Sequence, residues 1–329
     1  MLNSVLILPE NNLKSLVADD GKHLIDNTPY YSRTNRLIEL LEDVGVIYFD
    51  STTTMYSYTP FIEGDRQNGR ARMVAKMLGY TAEGIVVREC NSDSSKNAKW
   101  ANIARLLRED KNQFSNLIKK IFWYPFQQNP DNYHAVGTGL AKTNTQNPSW
   151  YSRQSDRDIC WIDSATKARE LLVPKNITSG KRKNAGIQLK VSSSPYGRYV
   201  TDYFKRKPYF TLYPVVYFDL GNDFYQVRAN LLNLTSFEVQ SNSLFSSDVQ
   251  FSEGLSRGDI VDMMLLRGRD IDASLHDELL YYQSIFNSLA SGGISLFDLT
   301  DEKVIFGLIT DFLGKNVVQD SSILTISYS

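Results

Sequence analysis

Between Gly186 and Ser192 the chain alternates: Ile187, Leu189 and Val191 on one side, Gln188 and Lys190 on the other. Successive side chains of a strand point to opposite faces, so this run predicts a strand with one apolar face. Its other face carries an amide and an ammonium. A second run, Ser155-Asp156-Arg157-Asp158-Ile159-Cys160-Trp161-Ile162-Asp163, predicts another strand rich in carboxylates. There Asp156 and Asp158 share a face, and Asp163, at odd offset, takes the opposite one. Two such strands side by side would project Asp158, Gln188 and Lys190 into one pocket. Strands of this kind, interleaved with helical periods elsewhere, predict an α/β (α+β) chain.

A length of 329 residues suggests two or three domains. We expect boundaries near residues 95 and 254. In the first segment, residues 11–19 suit a short helix. Leu37, Ile38, Leu40, Leu41 and Val44 fall on a helical period that ends at Gly45. Val46-Ile47-Tyr48-Phe49 and Met55-Tyr56-Ser57-Tyr58 follow as two strands around a polar turn. A further helix is expected from Arg70 to Leu78, stopping near Gly79, and then a buried-type strand at Gly84-Ile85-Val86-Val87. The polar run Asn91-Ser92-Asp93-Ser94-Ser95 marks the first boundary. Beyond it, helices are expected over 100–107 and 114–122. Residues 127–156 read as a long irregular connection, a kind of loop that is often functional. From about residue 255 the chain becomes acidic and helix-rich.

Several classes of protein are disfavoured. The apolar runs are far too short to cross a bilayer, and no basic leader follows Met1, so a cytoplasmic protein without a membrane partner is expected. Cys90 and Cys160 are the only cysteines and His23, His134 and His276 lie far apart, which disfavours a disulfide framework or a zinc site. Gly137-Thr138-Gly139-Leu140-Ala141-Lys142-Thr143 invites comparison with a phosphate-binding loop. Val136 and Ala141, however, stand where that loop needs glycine, so no nucleotide cofactor is expected. Gly137 and Gly139 then serve either a close approach to substrate or a plain turn. The formal net charge of −1 conceals a basic centre: Lys175, Lys181, Arg182, Lys183, Lys190, Arg198, Lys205, Arg206 and Lys207 face only Asp202 within 175–207. That stretch is either a polyanion-binding face or a set of solvated loops.

Asp158, Gln188 and Lys190 make chemical sense together for phosphodiester hydrolysis. A carboxylate and an amide oxygen are hard donors for Mg²⁺, and a lysine beside them stabilises developing charge. With Gln in the second ligand position one negative charge is missing, so another acid is needed. Glu109 and Asp156 are the candidates.

The order helix, Asp158 strand, then Ile187-Gln188-Leu189-Lys190 resembles the PD-(D/E)xK nuclease superfamily, in its Mrr-like variant with Gln-x-Lys. The resemblance covers roughly residues 100–220. It implies a restriction-endonuclease-like mixed-sheet core and Mg²⁺-dependent cleavage of DNA, less often RNA. Asp158, Gln188 and Lys190 would be the catalytic residues, with Asp158, Gln188 and Glu109 on the metal. No Pro precedes Asp158, about thirty residues separate it from Gln188, and the helix over 114–122 lacks the glutamate the family often carries. Residues 10–60 resemble a winged-helix domain, with Arg33, Asn35 and Arg36 opening the groove-facing helix. A small helix-and-hairpin core without a nucleic-acid partner has the same pattern.

The expectation is therefore a DNA endonuclease of restriction or anti-phage type, with double-stranded DNA as partner. Lys181, Arg182, Lys183 and Arg198 would contact phosphate. The acidic tail would pack on the core or mediate a homodimer. The alternatives are a non-catalytic DNA-binding or interaction module, and a nuclease toxin directed at RNA.

Overall fold

The computed structural model describes residues 3–7, 17–18, 30–105, 128–153, 155, 157–173, 184–192, 200–201, 213–233, 257–300, 304 and 324–328. Helices and sheets are mixed throughout. The chain divides into two units, one built from Met1–Thr81 with Asp272–Ser329 and the other from Ala82–Ile271.

The first unit opens with β1 (Asn3–Ile7) and β2 (Val17–Ala18). Within the helix expected over 11–19, Val17–Ala18 form a strand instead, because Leu6 pairs with Val17 across the sheet, and the other residues of that stretch lie outside the described residues. Helix α1 (Tyr30–Asp43) buries Leu37, Ile38, Leu40 and Leu41, and Gly45 takes a positive φ of 77° just after its end. Strands β3 (Ile47–Asp50) and β4 (Met55–Tyr58) form an antiparallel hairpin. Helix α2 (Pro60–Gln67) follows, with proline in its first turn. Its Asp65 is buried and ion-paired with both Arg72 and Lys76 of the next helix.

That next helix, α3 (Arg70–Ser92), corrects two expectations. It does not stop near Gly79, and Gly84-Ile85-Val86-Val87 is helical rather than a strand. The buried residues Met73, Met77, Thr81 and Ile85, with Val74, Leu78, Ala82, Val86 and Cys90, recur every four residues. Residues 81–86 are all buried. A continuous buried run looks alike in helix and strand, and here packing outweighs the cost of two internal glycines, about 1 kcal/mol each. The division between the units falls inside this helix, between Thr81 and Ala82. The polar run at 91–95 is a joint between helices: Asp93 accepts from the N–H groups of Ser95 and Lys96 and caps α4 (Ser94–Ala104).

In the second unit the stretch expected to be irregular supplies a strand, β5 (Tyr133–Gly137), and a short helix, α5 (Ala141–Gln146). Strand β5 pairs antiparallel with β6 (Ile159–Asp163). An isolated antiparallel bridge between Ile159 and Ile187 carries the pairing on to β7 (Gln188–Ser192). Strand β8 (Val215–Asp219) is parallel to β7. After α6 (Phe224–Leu232) and α7 (Arg257–Met264), β9 (Leu265–Arg267) lies parallel to β8. The strands thus follow one another in chain order, with β6 alone reversed. Strand β8 is buried along its whole length, and Val215 and Tyr217 join Val227, Leu231, Val261 and Met264 in one cluster. Residues 257–271 therefore belong with this sheet and not with a separate tail beginning at 255, because β9 completes its edge.

Asn97 ties the helical layer to the first two strands. Its amide N–H donates to the carbonyls of Pro130 (3.0 Å) and Tyr133 (2.9 Å), and its oxygen accepts from the Trp161 indole at 2.7 Å. Replacing Asn97 by alanine leaves a buried indole N–H and two carbonyls without this partner. We expect a loss of about 1–3 kcal/mol, read from urea unfolding; an unchanged midpoint would show that the amide contributes nothing net.

The first unit is completed by α8 (Ala273–Ser291), capped by Asp272, and by β10 (Leu324–Tyr328), which pairs antiparallel with β1. No described helix is long and apolar enough to cross a membrane. The helix expected over 114–122 lies outside the described residues.

Candidate functional site

Asp158 sits one residue ahead of β6, where its strand meets β7. Its N–H donates to the Ile187 carbonyl at 2.8 Å, and its carboxylate Oδ2 accepts from the Leu189 N–H at 2.6 Å. The carboxylate is thus locked to the strand that carries the amide and the lysine. Lys190 Nζ lies 3.5 Å from Asp158 Oδ2 and donates to Gln188 Oε1 at 2.7 Å. It also donates to the Leu189 carbonyl at 3.0 Å. Gln188 is buried, whereas Asp158 and Lys190 keep 28% and 19% of their side chains exposed, so solvent touches the pair.

The structure adds a fourth group. Glu83, on α3, is 5% exposed. Its Oε1 accepts from the Gly139 N–H at 3.0 Å. Burial pushes its carboxyl well above the usual range and the Asp158 charge pushes it further, against the Gly139 hydrogen bond and the Lys190 charge. Two carboxylates in mutual repulsion, one of them buried, are costly together unless a cation is near. Lys190 supplies one positive charge. Glu83, Asp158 and the Gln188 amide are also hard oxygen donors of the kind a divalent cation takes. Among the described residues no group of three or more His, Cys, Asp or Glu side chains suits a metal, so this set rests on two carboxylates and an amide.

Gly137, at the end of β5, makes room for that arrangement. A Cβ there would lie 2.7 Å from Glu83 Oε1 and 2.4 Å from Leu140 Cδ1. Gly137→Ala should therefore displace Glu83 and cost about 1–3 kcal/mol of stability, measurable by thermal unfolding. A variant as stable as the parent would show that the neighbouring helix yields freely. Two bonds farther along α3 hold the helix against the strand. Asn91 Nδ2 donates to the Ala135 carbonyl at 3.0 Å, and the Ala135 N–H donates to Asn91 Oδ1 at 2.8 Å.

Other groups near the site are occupied structurally. Arg157 pairs with Glu170 and donates to the Ala185 carbonyl at 2.8 Å. Burial pushes the Cys160 thiol up to about 12, so it supplies no thiolate nucleophile near neutral pH. Asp163 closes a turn by accepting from the N–H groups of Ala165 and Thr166.

Asp158, Gln188 and Lys190 are therefore brought together. Glu109, Asp156, Lys181, Arg182, Lys183 and Arg198 lie outside the described residues. Arg33, Asn35 and Arg36 lie on α1. Glu83 is the acid beside this candidate site that sequence patterning missed. The signal available for it was a lone acid within Tyr80-Thr81-Ala82-Glu83-Gly84-Ile85-Val86-Val87, an otherwise uncharged run. Compared with family models, curated proteins and solved structures, the chain matches none.

Proposed function

We propose that this chain is a Mg²⁺-dependent endonuclease that hydrolyses phosphodiester bonds of double-stranded DNA. The observation that carries the reading is the meeting of Asp158, Gln188 and Lys190 at one strand junction, with the buried Glu83 carboxylate sensing both charges. The donor chemistry fits Mg²⁺, with Glu83, Asp158 and Gln188 as the holding residues among those the structure describes. Bound there, the ion would polarise the phosphate and lower the pKa of a water. Lys190 faces the phosphate oxygens and offsets the charge that develops on them. Leu189 N–H keeps the Asp158 carboxylate aimed at the same point, and Gln188 holds the lysine ammonium in place. The five strands with one reversed member, preceded by a helix bearing an acid, are consistent with a restriction-endonuclease-like core.

DNA choice would fall to a winged-helix-like segment, through Arg33, Asn35 and Arg36 at the start of α1. Residues 37–65 contain six acids and no Lys or Arg, namely Glu39, Glu42, Asp43, Asp50, Glu63 and Asp65. The β3–β4 hairpin is thus unsuited to phosphate, and within this segment that role falls to the start of α1. Lys181, Arg182, Lys183 and Arg198 would bind the backbone, and a homodimer would let both strands be cut. Restriction or anti-phage defence is the role such an enzyme would fill.

The test is cleavage of modified and unmodified plasmid in Mg²⁺ by the wild type, Asp158→Ala and Lys190→Ala. Cutting that both substitutions remove supports the reading. Binding without cutting of any substrate would replace it by a non-catalytic DNA-binding module. Cutting of RNA with DNA spared would replace it by an RNA-directed toxin.

A further inference from the structure

We propose that the turn Gly137-Thr138-Gly139 is the positioning element of this site, setting Glu83 and Asp158 relative to each other through Thr138. The inference rests on the nuclease reading, in which the two carboxylates share a divalent cation. Three consecutive residues grip both acids from different directions. The Gly139 N–H donates to Glu83 Oε1 at 3.0 Å, and Gly137 lacks the Cβ that would strike the same oxygen. Between them, the Thr138 N–H donates to the Asp158 carbonyl at 2.7 Å. Its hydroxyl donates to the Arg157 carbonyl, also at 2.7 Å.

The segment carrying Asp158 is therefore clamped at two successive carbonyls by one residue. The Thr138 carbonyl is used in turn, accepting from the Ser152 N–H at 2.8 Å. Thr138 is 5% exposed, so water does not readily replace these bonds. Glu83 comes from a helix and Asp158 from the segment leading into β6, and this turn bonds directly to both. A carboxylate pair must be held within fractions of an ångström to serve one small cation, which demands near-ideal geometry. The turn supplies that rigidity with backbone N–H groups and one hydroxyl. It also accounts for the glycine spacing that imitates a phosphate-binding loop.

The experiment compares the wild type with Thr138→Val, which keeps shape and removes the hydroxyl, and Thr138→Ser, which restores it. Three quantities are read: Mn²⁺ affinity by calorimetry, plasmid cleavage rate, and the thermal midpoint in chelator. The expected result is Mn²⁺ binding weakened about 3–10-fold in Thr138→Val, the factor of one buried hydrogen bond. Cleavage should fall at least as far, the midpoint should drop by no more than the few degrees that one lost buried hydrogen bond accounts for, and Thr138→Ser should recover both binding and rate. Thr138→Val with wild-type affinity and rate would overturn the positioning role while leaving the nuclease reading in place. An affinity loss matched by a large drop in midpoint, and not recovered by serine, would make Thr138 merely structural. A wild type that neither binds Mn²⁺ nor cuts would overturn both.

Discussion

Asp158→Ala and Lys190→Ala should each lower Mg²⁺-dependent plasmid cleavage by about 10³-fold, the size of loss seen when a charge-stabilising group is removed from a reacting centre. Both variants should remain folded, since each side chain is partly exposed and sits at a strand junction whose backbone pairing survives. Asp158→Ala removes a hard donor and the acceptor of the Leu189 N–H. Lys190→Ala removes a positive charge that, among the described residues, counters both the Glu83 and Asp158 charges. The two therefore differ in cation binding. Asp158→Ala should weaken it, whereas Lys190→Ala should leave it intact or strengthen it, because a competing positive charge is gone. Equal loss of Mn²⁺ affinity in both variants would contradict the assignment of Lys190 to substrate charge.

Glu83→Gln should lower cleavage by about 10²-fold while making the metal-free protein more stable. Glutamine keeps the volume and the acceptor for Gly139 N–H and removes only the charge. The sign follows from linkage. The folded-state pKa of Glu83 is raised above its usual 4.5 by burial and by Asp158. The protonated form therefore favours folding below that pH, and the benefit is lost as pH rises through the elevated value. In chelator, wild-type stability should fall across that window, and the variant should lack this part of the slope. By neutral pH its thermal midpoint should exceed that of the wild type by several degrees. Added Mn²⁺ should reverse the order, because a cation stabilises the charged form alone. Identical stability profiles for the two proteins in chelator would remove the buried-charge account, and cleavage at the wild-type rate would remove Glu83 from the site.

Much of the site was readable locally. The alternation from Ile187 to Val191 assigns Gln188 and Lys190 to one face of a strand from spacing alone, since the period of two is a property of the extended backbone. A carboxylate leading the run Ile159-Cys160-Trp161-Ile162 is equally visible. The rest was hidden for a common reason. In residues 127–156 the high content of Asn, Gln, Pro, Ser and Gly masked β5, whose partner β6 comes more than twenty residues later. In Gly84-Ile85-Val86-Val87 the apolar run is compatible with either a strand or a helix buried on all sides.

By itself, then, the sequence determined the polar face of the strand that carries Gln188 and Lys190, the two strands at 46–49 and 55–58, and the three residues Asp158, Gln188 and Lys190 as a chemical set. Those features follow from backbone periodicity and turn chemistry, which act over a few residues. Only the tertiary structure decided that α3 runs unbroken through Gly79 and Gly84, that Glu83 lies where the Asp158 and Lys190 charges reach it, and that a phosphate-loop-like run donates to the Glu83 carboxylate and the Asp158 carbonyl. It also joined β1 to β10 from opposite ends of the chain. Each of these depends on desolvation and packing by groups remote in sequence. A buried carboxylate takes its character from what surrounds it, and no window of neighbouring residues contains that information.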